Sequence, residues 1–116
     1  MTGRKNDKGK LRYDLIPWRP MIELARAYTA GVEKYDDRNW EKGMAWSRYV
    51  GAGFRHFWKW IAGETRDPEN DVHHLAAACF CLFALMEYET THPELDDRVK
   101  GSRREKNICR WFLRRG

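Results

Sequence analysis

Trp46, Val50, Phe54, Phe57 and Ile61 recur at i, i+4, i+8, i+11 and i+15, and no other pattern in the chain constrains its fold as strongly. This spacing keeps an apolar stripe on one side of a helix, whereas the two faces of a strand alternate at every residue. It predicts a helix over 46–62, with Gly63 as its stop. Ile22, Ala25, Tyr28 and Val32 predict an earlier amphipathic helix over 20–35, with Pro20 suited to its first turn. Asp67 followed by Pro68 has the form of a cap and a first helical residue. A third helix is therefore expected to run to about Thr90, where His92-Pro93 ends it. Its apolar run, Leu75 to Met86, reads as a buried helix. Ile108, Trp111 and Phe112 suggest a short terminal helix. There is no alternating strand pattern and no Asn-Gly or Asp-Gly hairpin signal. The expected fold class is all-α, a small helical bundle of three to four main helices. Gly51 and Gly53 lower helix propensity and read as points where another helix comes close. Three main helices make a thin core, so completion by oligomerisation into a homo-dimer or tetramer is expected.

The chain has 116 residues, enough for one hydrophobic core. Its expected organisation is a polar N-terminal arm over 1–13, a helical domain over 14–93 and a basic C-terminal tail over 94–116. Residues 98–116 carry +7 against +5 for the whole chain, so the rest is near −2. The basic pI of about 9.3 thus describes the tail, not the body. A mean hydropathy of −0.82 and the lack of a long apolar run exclude a membrane-spanning protein. The N-terminus has charge but no following apolar segment, and an odd set of cysteines (Cys79, Cys81 and Cys109) argues against a disulfide framework. Both point to the cytoplasm. Cys79 and Cys81, about 200° apart around a helix, suit one metal poorly and read as small core residues.

The segment from Lys34 to Trp60 packs four of the six tryptophans among cations and carboxylates. A flat ring beside a fixed cation is what a site needs to hold a base and its phosphates. Asn39 and Trp40 pair an amide with a ring; Trp40 reads equally well as the staple of its loop. Lys34, Arg38, Arg48 and Arg55 are placed to meet phosphates, with Lys8, Lys10 and Arg12 available from the arm. Glu64, Asp67 and Asp71 lie at the turn between the second and third helices. On a helix that includes Asp67, Asp71 and His74 would follow at i+4 and i+7 on one face. Such carboxylates can hold Mg2+, which neutralises phosphate oxygens and activates water. The alternative is that Asp67 caps the helix while Glu69 and Asp71 complement its dipole. His56 reads as a base, a phosphate donor, a ligand or a structural residue. Of the adjacent His73 and His74, His74 is the better placed. With no His-x-x-x-His pair, a zinc site is not expected.

Asn6-Asp7-Lys8-Gly9-Lys10-Leu11-Arg12-Tyr13-Asp14-Leu15-Ile16-Pro17 is followed by Lys34-Tyr35-Asp36-Asp37-Arg38-Asn39-Trp40-Glu41-Lys42-Gly43 and Trp46-Ser47-Arg48-Tyr49. With Arg55-His56, Gly63-Glu64, Asp67 and His74-Leu75-Ala76 in order, the chain resembles the N-terminal dATP/dGTP diphosphohydrolase domain family of bacteriophages and prophages. The resemblance spans roughly residues 6–89 and leaves out the tail. It implies an all-α, MazG-like nucleotide pyrophosphohydrolase that converts a purine deoxynucleoside triphosphate to the monophosphate and pyrophosphate. It implies Mg2+ or Mn2+ as cofactor, an oligomer, and the host cytoplasm as location. Glu64, Asp67 and His56 would be catalytic, and the metal would lie among Glu64, Asp67, Asp71 and His74. Lys34, Arg38 and Arg55 would meet the phosphates, helped by Lys10 and Arg12, and Asn39 and Trp40 the nucleoside. The MazG pattern Glu-Glu-x-x-Glu is missing; only Glu23 and Glu33 lie on the first helix. The alternative function is a non-catalytic phage accessory protein binding nucleotide or nucleic acid, with residues 98–116 as the phosphate-binding part.

Overall fold

A computed structural model describes residues 2–99 together with 113 and 114. Three helices dominate it: α1 (Trp18–Lys34), α2 (Trp46–Ile61) and α3 (His74–Thr91), with short 3-10 turns at Tyr13–Leu15, Asn39–Lys42 and Pro93–Leu95. Among the described residues there is no strand, only an isolated bridge between Arg66 and His73. The protein is all-α, a small helical bundle. The expected terminal helix at 108–112 and most of the basic tail lie outside the described residues. Among the described residues no helix is long and apolar enough to cross a membrane.

α3 is the central element and packs against both α1 and α2. Its sequence is apolar on every side, which is the pattern of a helix with neighbours on more than one face. Trp46, Tyr49, Cys81, Ala84 and Tyr88 form the core where α2 meets α3. Burial of a large side chain of this kind contributes roughly 1.5–3 kcal/mol. Tyr28, Trp40, Phe80 and Tyr88 extend the core as a set of ring contacts, from Tyr28–Phe80 at 4.6 Å to Trp40–Tyr88 at 6.2 Å. Cys81 is buried and Cys79 half-buried, in keeping with small packing residues. Burial pushes the Cys81 thiol up to about 11, so it stays protonated at neutral pH.

The stripe that predicts α2 is not the face α2 buries. Trp46 is buried, but Val50, Phe54, Phe57 and Ile61 are exposed, Phe54 at 70%. The packed side instead carries Tyr49, Ala52, Gly53 and His56. Small side chains explain the choice, because they let two backbones approach: a Cβ built on Gly53 would stand 3.4 Å from Cys81 Cβ. Gly51 does something else, leaving room for the Arg55 guanidinium, which would lie 3.0 Å from a Cβ there.

The third helix begins later than Asp67-Pro68 suggests. Residues 64–73 form a closed loop instead, tied by Asp67 N–H to Val72 O at 2.9 Å and His74 N–H to Thr65 O at 3.0 Å. Asp67 Oδ1 accepts from Glu69 N–H and Asn70 Oδ1 from Val72 N–H, the local turns that Asp and Asn side chains favour. Asp71 sits at φ 60°, a left-handed conformation that Asp tolerates better than most residues. His73 is the true cap, its Nδ1 accepting from Leu75 N–H at 3.1 Å. Asp67, Asp71 and His74 therefore do not share a helix face.

Candidate active site

The loop 64–73 is clamped to α1. Arg66 donates to both carboxylate oxygens of Glu23, at 2.9 and 3.1 Å, and to Asp71 O at 3.0 Å. A two-point guanidinium–carboxylate contact fixes orientation as well as distance. Glu23 also accepts from Arg26 Nη1 at 2.7 Å, so both of its oxygens are engaged. The clamp brings Asp67 and Glu64 up to the His56 ring on α2 and the His74 ring on α3. His74 is fully buried. Its Nε2 lies 2.7 Å from Glu64 Oε1, and its Nδ1 lies 2.9 Å from His56 Nδ1. With the carboxylate as acceptor, His74 donates through Nε2–H and offers its Nδ1 lone pair to His56. His56, Asp67 and His74 each present one ligand atom within 4.8 Å of the others. Asp71 is outside this group, and its carbonyl accepts from Arg66.

Next to this cluster runs a cleft of about 720 Å³ between α1, α2, α3 and the loop after α1. Lys34, Arg38, Asn39, Trp40, Arg55 and His56 all line it, with Tyr28, Tyr49 and Phe80 among its walls. Lys10 and Arg12 are not among its lining residues; Arg12 instead pairs with Asp14 at 2.8 Å in the exposed arm. Among the described residues Lys34 and Arg38 pair with solvent-exposed carboxylates, Glu69 at 3.8 Å and Glu41 at 3.5 Å. Exposed pairs of this kind contribute roughly 0–1 kcal/mol and exchange readily for a phosphate. The Trp40 ring lines the cleft and also packs against the core.

The loop bearing Asn39 and Trp40 is held in place from the far end of α3. Tyr88 donates its hydroxyl to Trp40 O, and His92 Nε2–H donates to Glu41 O at 2.8 Å. Trp46 Nε1–H donates to His92 O at 3.1 Å, which fixes His92 itself. Arg38 stands at φ 56°, a strained left-handed conformation for a residue with a side chain. It sits where the loop turns its cations toward the cleft. Arg38→Gly is expected to raise thermal stability slightly, by up to about 1 kcal/mol. The same variant should weaken nucleotide binding in calorimetry, separating backbone strain from phosphate contact.

The electrostatics at His56 differ from those of a surface imidazole. Burial holds the His56 pKa below the ordinary value of 6.5, and His74 adds to the shift. As pH falls below about 6.5 the unfolded chain takes up this proton before the folded one does, so stability contributed here is lost through that window. His92 shifts the opposite way, raised first by its bond to Glu41 O and then by Glu94. Thermal melts from pH 7.5 to 5 should therefore show an acid loss that is smaller in His56→Gln than in the parent. Equal pH profiles for the two proteins would contradict the assignment to His56.

With the geometry in view, comparison with known proteins is decisive on one point. The family described as dATP/dGTP diphosphohydrolase, N-terminal, matches residues 1–98. The chain belongs to this family. No curated protein and no solved structure matches it. The family's name speaks for hydrolysis of a nucleotide, and its matched span takes in α1, α2, α3 and every residue of the cluster and cleft. Two imidazole nitrogens and a carboxylate make a donor set that fits a divalent cation. Mn2+ accepts such mixed donors more readily than Mg2+, which prefers oxygen throughout.

Sequence spacing finds nearly all of these side chains but misses how they pair. The His56–His74 contact joins separate helices, so no local motif announces it. The Glu23–Arg66 clamp is hidden for the same reason. Tyr28 and Val32, both on the apolar stripe of α1, reach the cleft wall as well.

Proposed function

We propose that this diphosphohydrolase-family domain hydrolyses a purine deoxynucleoside triphosphate, dATP or dGTP, to the monophosphate and pyrophosphate. One observation carries the reading: His56, the first member of the His56–His74–Glu64 chain, lines the same cleft as a ring, an amide and three cations. A nucleoside fits the Asn39–Trp40 side, where the amide can meet a base edge and the rings of Trp40 and Tyr28 its faces. The phosphates then lie toward Lys34, Arg38 and Arg55, whose charges stabilise the negative charge that grows as the anhydride breaks. Water attacks the phosphorus nearest the sugar, and pyrophosphate leaves. Glu64 is the proton acceptor we assign: Oε1 is fixed on His74 while the carboxylate remains 45% exposed. A divalent cation held by Asp67, His56 and His74 would supply charge neutralisation at the phosphates.

The exposed stripe of Val50, Phe54, Phe57 and Ile61 supports assembly into a homo-oligomer, in which a second copy covers it. Light scattering coupled to gel filtration measures this directly.

Product analysis tests the reaction. Purified chain is incubated with each deoxynucleoside triphosphate, with Mg2+ or Mn2+ and with EDTA, and the products are resolved by ion exchange. Monophosphate and pyrophosphate from dATP or dGTP, abolished by EDTA, are the expected products. Absence of turnover in folded protein with every nucleotide and both metals would defeat the reading.

A further inference from the structure

His74 has no contact with solvent, yet both its ring nitrogens are directed at specific groups. Glu64 Oε1 lies 2.7 Å behind Nε2, and His56 Nδ1 lies 2.9 Å in front of Nδ1. A carboxylate behind an imidazole fixes its tautomer and makes the opposite nitrogen a better donor, the arrangement that metal-ligating histidines adopt. The spacing in front fits a metal too. With metal–nitrogen bonds of about 2.1 Å, two nitrogens bound at right angles stand about 3.0 Å apart. Asp67 stands beside the pair: one ligand atom from each of His56, His74 and Asp67 lies within 4.8 Å of the others.

We infer that His56 Nδ1, His74 Nδ1 and the Asp67 carboxylate form a selective site for a first-row transition cation, from Mn2+ to Zn2+, with Glu64 as the positioning residue behind His74. Imidazole discriminates for these ions and against Mg2+, which dehydrates reluctantly and prefers oxygen. Without the cation, His56 Nδ1–H donates to His74 Nδ1. Binding moves that proton to His56 Nε2, so the ring changes tautomer and the proton count of the pair stays the same. The ligands come from three separate pieces of chain: α2, the 64–73 loop and the first residue of α3. A local sequence motif therefore does not reveal the site. The Arg66–Glu23 contact supplies the rigidity selectivity requires, because it holds the loop that delivers Asp67. The assignment deepens the hydrolase reading, on which its part in turnover rests; binding itself is measured without nucleotide.

The test uses the full chain stripped of metal with EDTA and dialysed. Co2+ is titrated as the probe, following its visible absorption, and Mn2+, Zn2+ and Mg2+ are titrated by calorimetry. One Co2+ per chain is expected, with Mg2+ binding far more weakly than Co2+, Mn2+ or Zn2+. Glu64→Gln should weaken Co2+ by about 10–100-fold and alter its absorption bands, and His56→Gln and Asp67→Asn should weaken it at least as much. Circular dichroism confirms that each variant is folded, and the variants report independently, so misfolding of one leaves the others decisive. Unchanged Co2+ binding in folded His56→Gln or Asp67→Asn overturns the site, as does Mg2+ binding as tight as Co2+. A chain that binds Co2+ in the expected pattern but turns over no nucleotide upholds the site and defeats the hydrolase reading alone.

Discussion

Asp67→Asn is expected to abolish hydrolysis of dATP and dGTP while leaving the helices intact. The fold should survive because the backbone of residue 67 does the structural work, through its N–H on Val72 O and its carbonyl accepting from Asp71 N–H. The side-chain hydrogen bond, Oδ1 accepting from Glu69 N–H, is available to an asparagine oxygen as well. What is lost is the charge. The amide is the weaker donor to a cation and leaves His56 without the Asp67 charge that faces it. A fall in kcat on the order of 10²–10⁴-fold is expected, the range for losing a group that acts in the transition state. Ion-exchange product assays beside circular dichroism read both halves of the statement. Turnover within a few-fold of the parent would remove Asp67 from the chemistry. Collapse of the helical signal would instead show that its charge holds the loop.

Gly43→Ala is expected to be the most costly single methyl group added to the nucleoside side of the cleft. Gly43 has φ 99°, and a Cβ there would meet Leu95 Cδ1 at 2.8 Å and the His92 ring at 3.0 Å. The backbone is strained for any residue but glycine, a cost of about 1–3 kcal/mol before the clash is counted. Leu95 Cδ1 is the tip of a side chain and can rotate away, but the His92 ring is tied to Glu41 O, so relief there disturbs the contacts that hold the Trp40 loop. Tyr88 bonds to Trp40 O and His92 to Glu41 O, so a shift at residue 43 displaces the wall of the cleft. We expect a lower Tm and a higher KM with kcat less affected, since the cluster at His56 lies on other elements. Tyr88→Phe is the milder companion, removing one hydrogen bond worth about 1 kcal/mol. An unchanged KM in a destabilised Gly43→Ala protein would show that the loop finds its position without this clamp.

Much of the helical layout is legible in the sequence because apolar spacing reports local geometry. α1 and α2 fall within two residues of expectation, as does the end of α3. What spacing does not report is which face meets a neighbour. On α2 the largest side chains make the strongest stripe, yet packing favours the small and polar side, where Ala52 and Gly53 permit close approach and His56 meets His74. The start of α3 was obscured by Asp67-Pro68, a sound capping signal outcompeted by a closed loop with its own Asp and Asn turns. Lys34, Arg38, Asn39, Trp40, Arg55 and His56 were all visible from residue type alone, and the fold gathers them in one cleft. Asp71 was not separable from Asp67 by sequence, since only the left-handed turn at Asp71 sets the two apart. Lys10 and Arg12 belong to an arm whose place no periodicity encodes.

The two sides of α2 have different occupations: His56 and Arg55 border the cleft, while Phe54, Phe57 and Ile61 are offered outward. Because a helix turns by about 100° per residue, neighbours in sequence serve unrelated ends. The outward residues can therefore be rewritten without touching the cleft-lining ones. On the proposed assembly, polar replacement at Phe54 and Ile61 is expected to give a monomer in light scattering, and product analysis of that variant would show whether one copy suffices for the proposed chemistry.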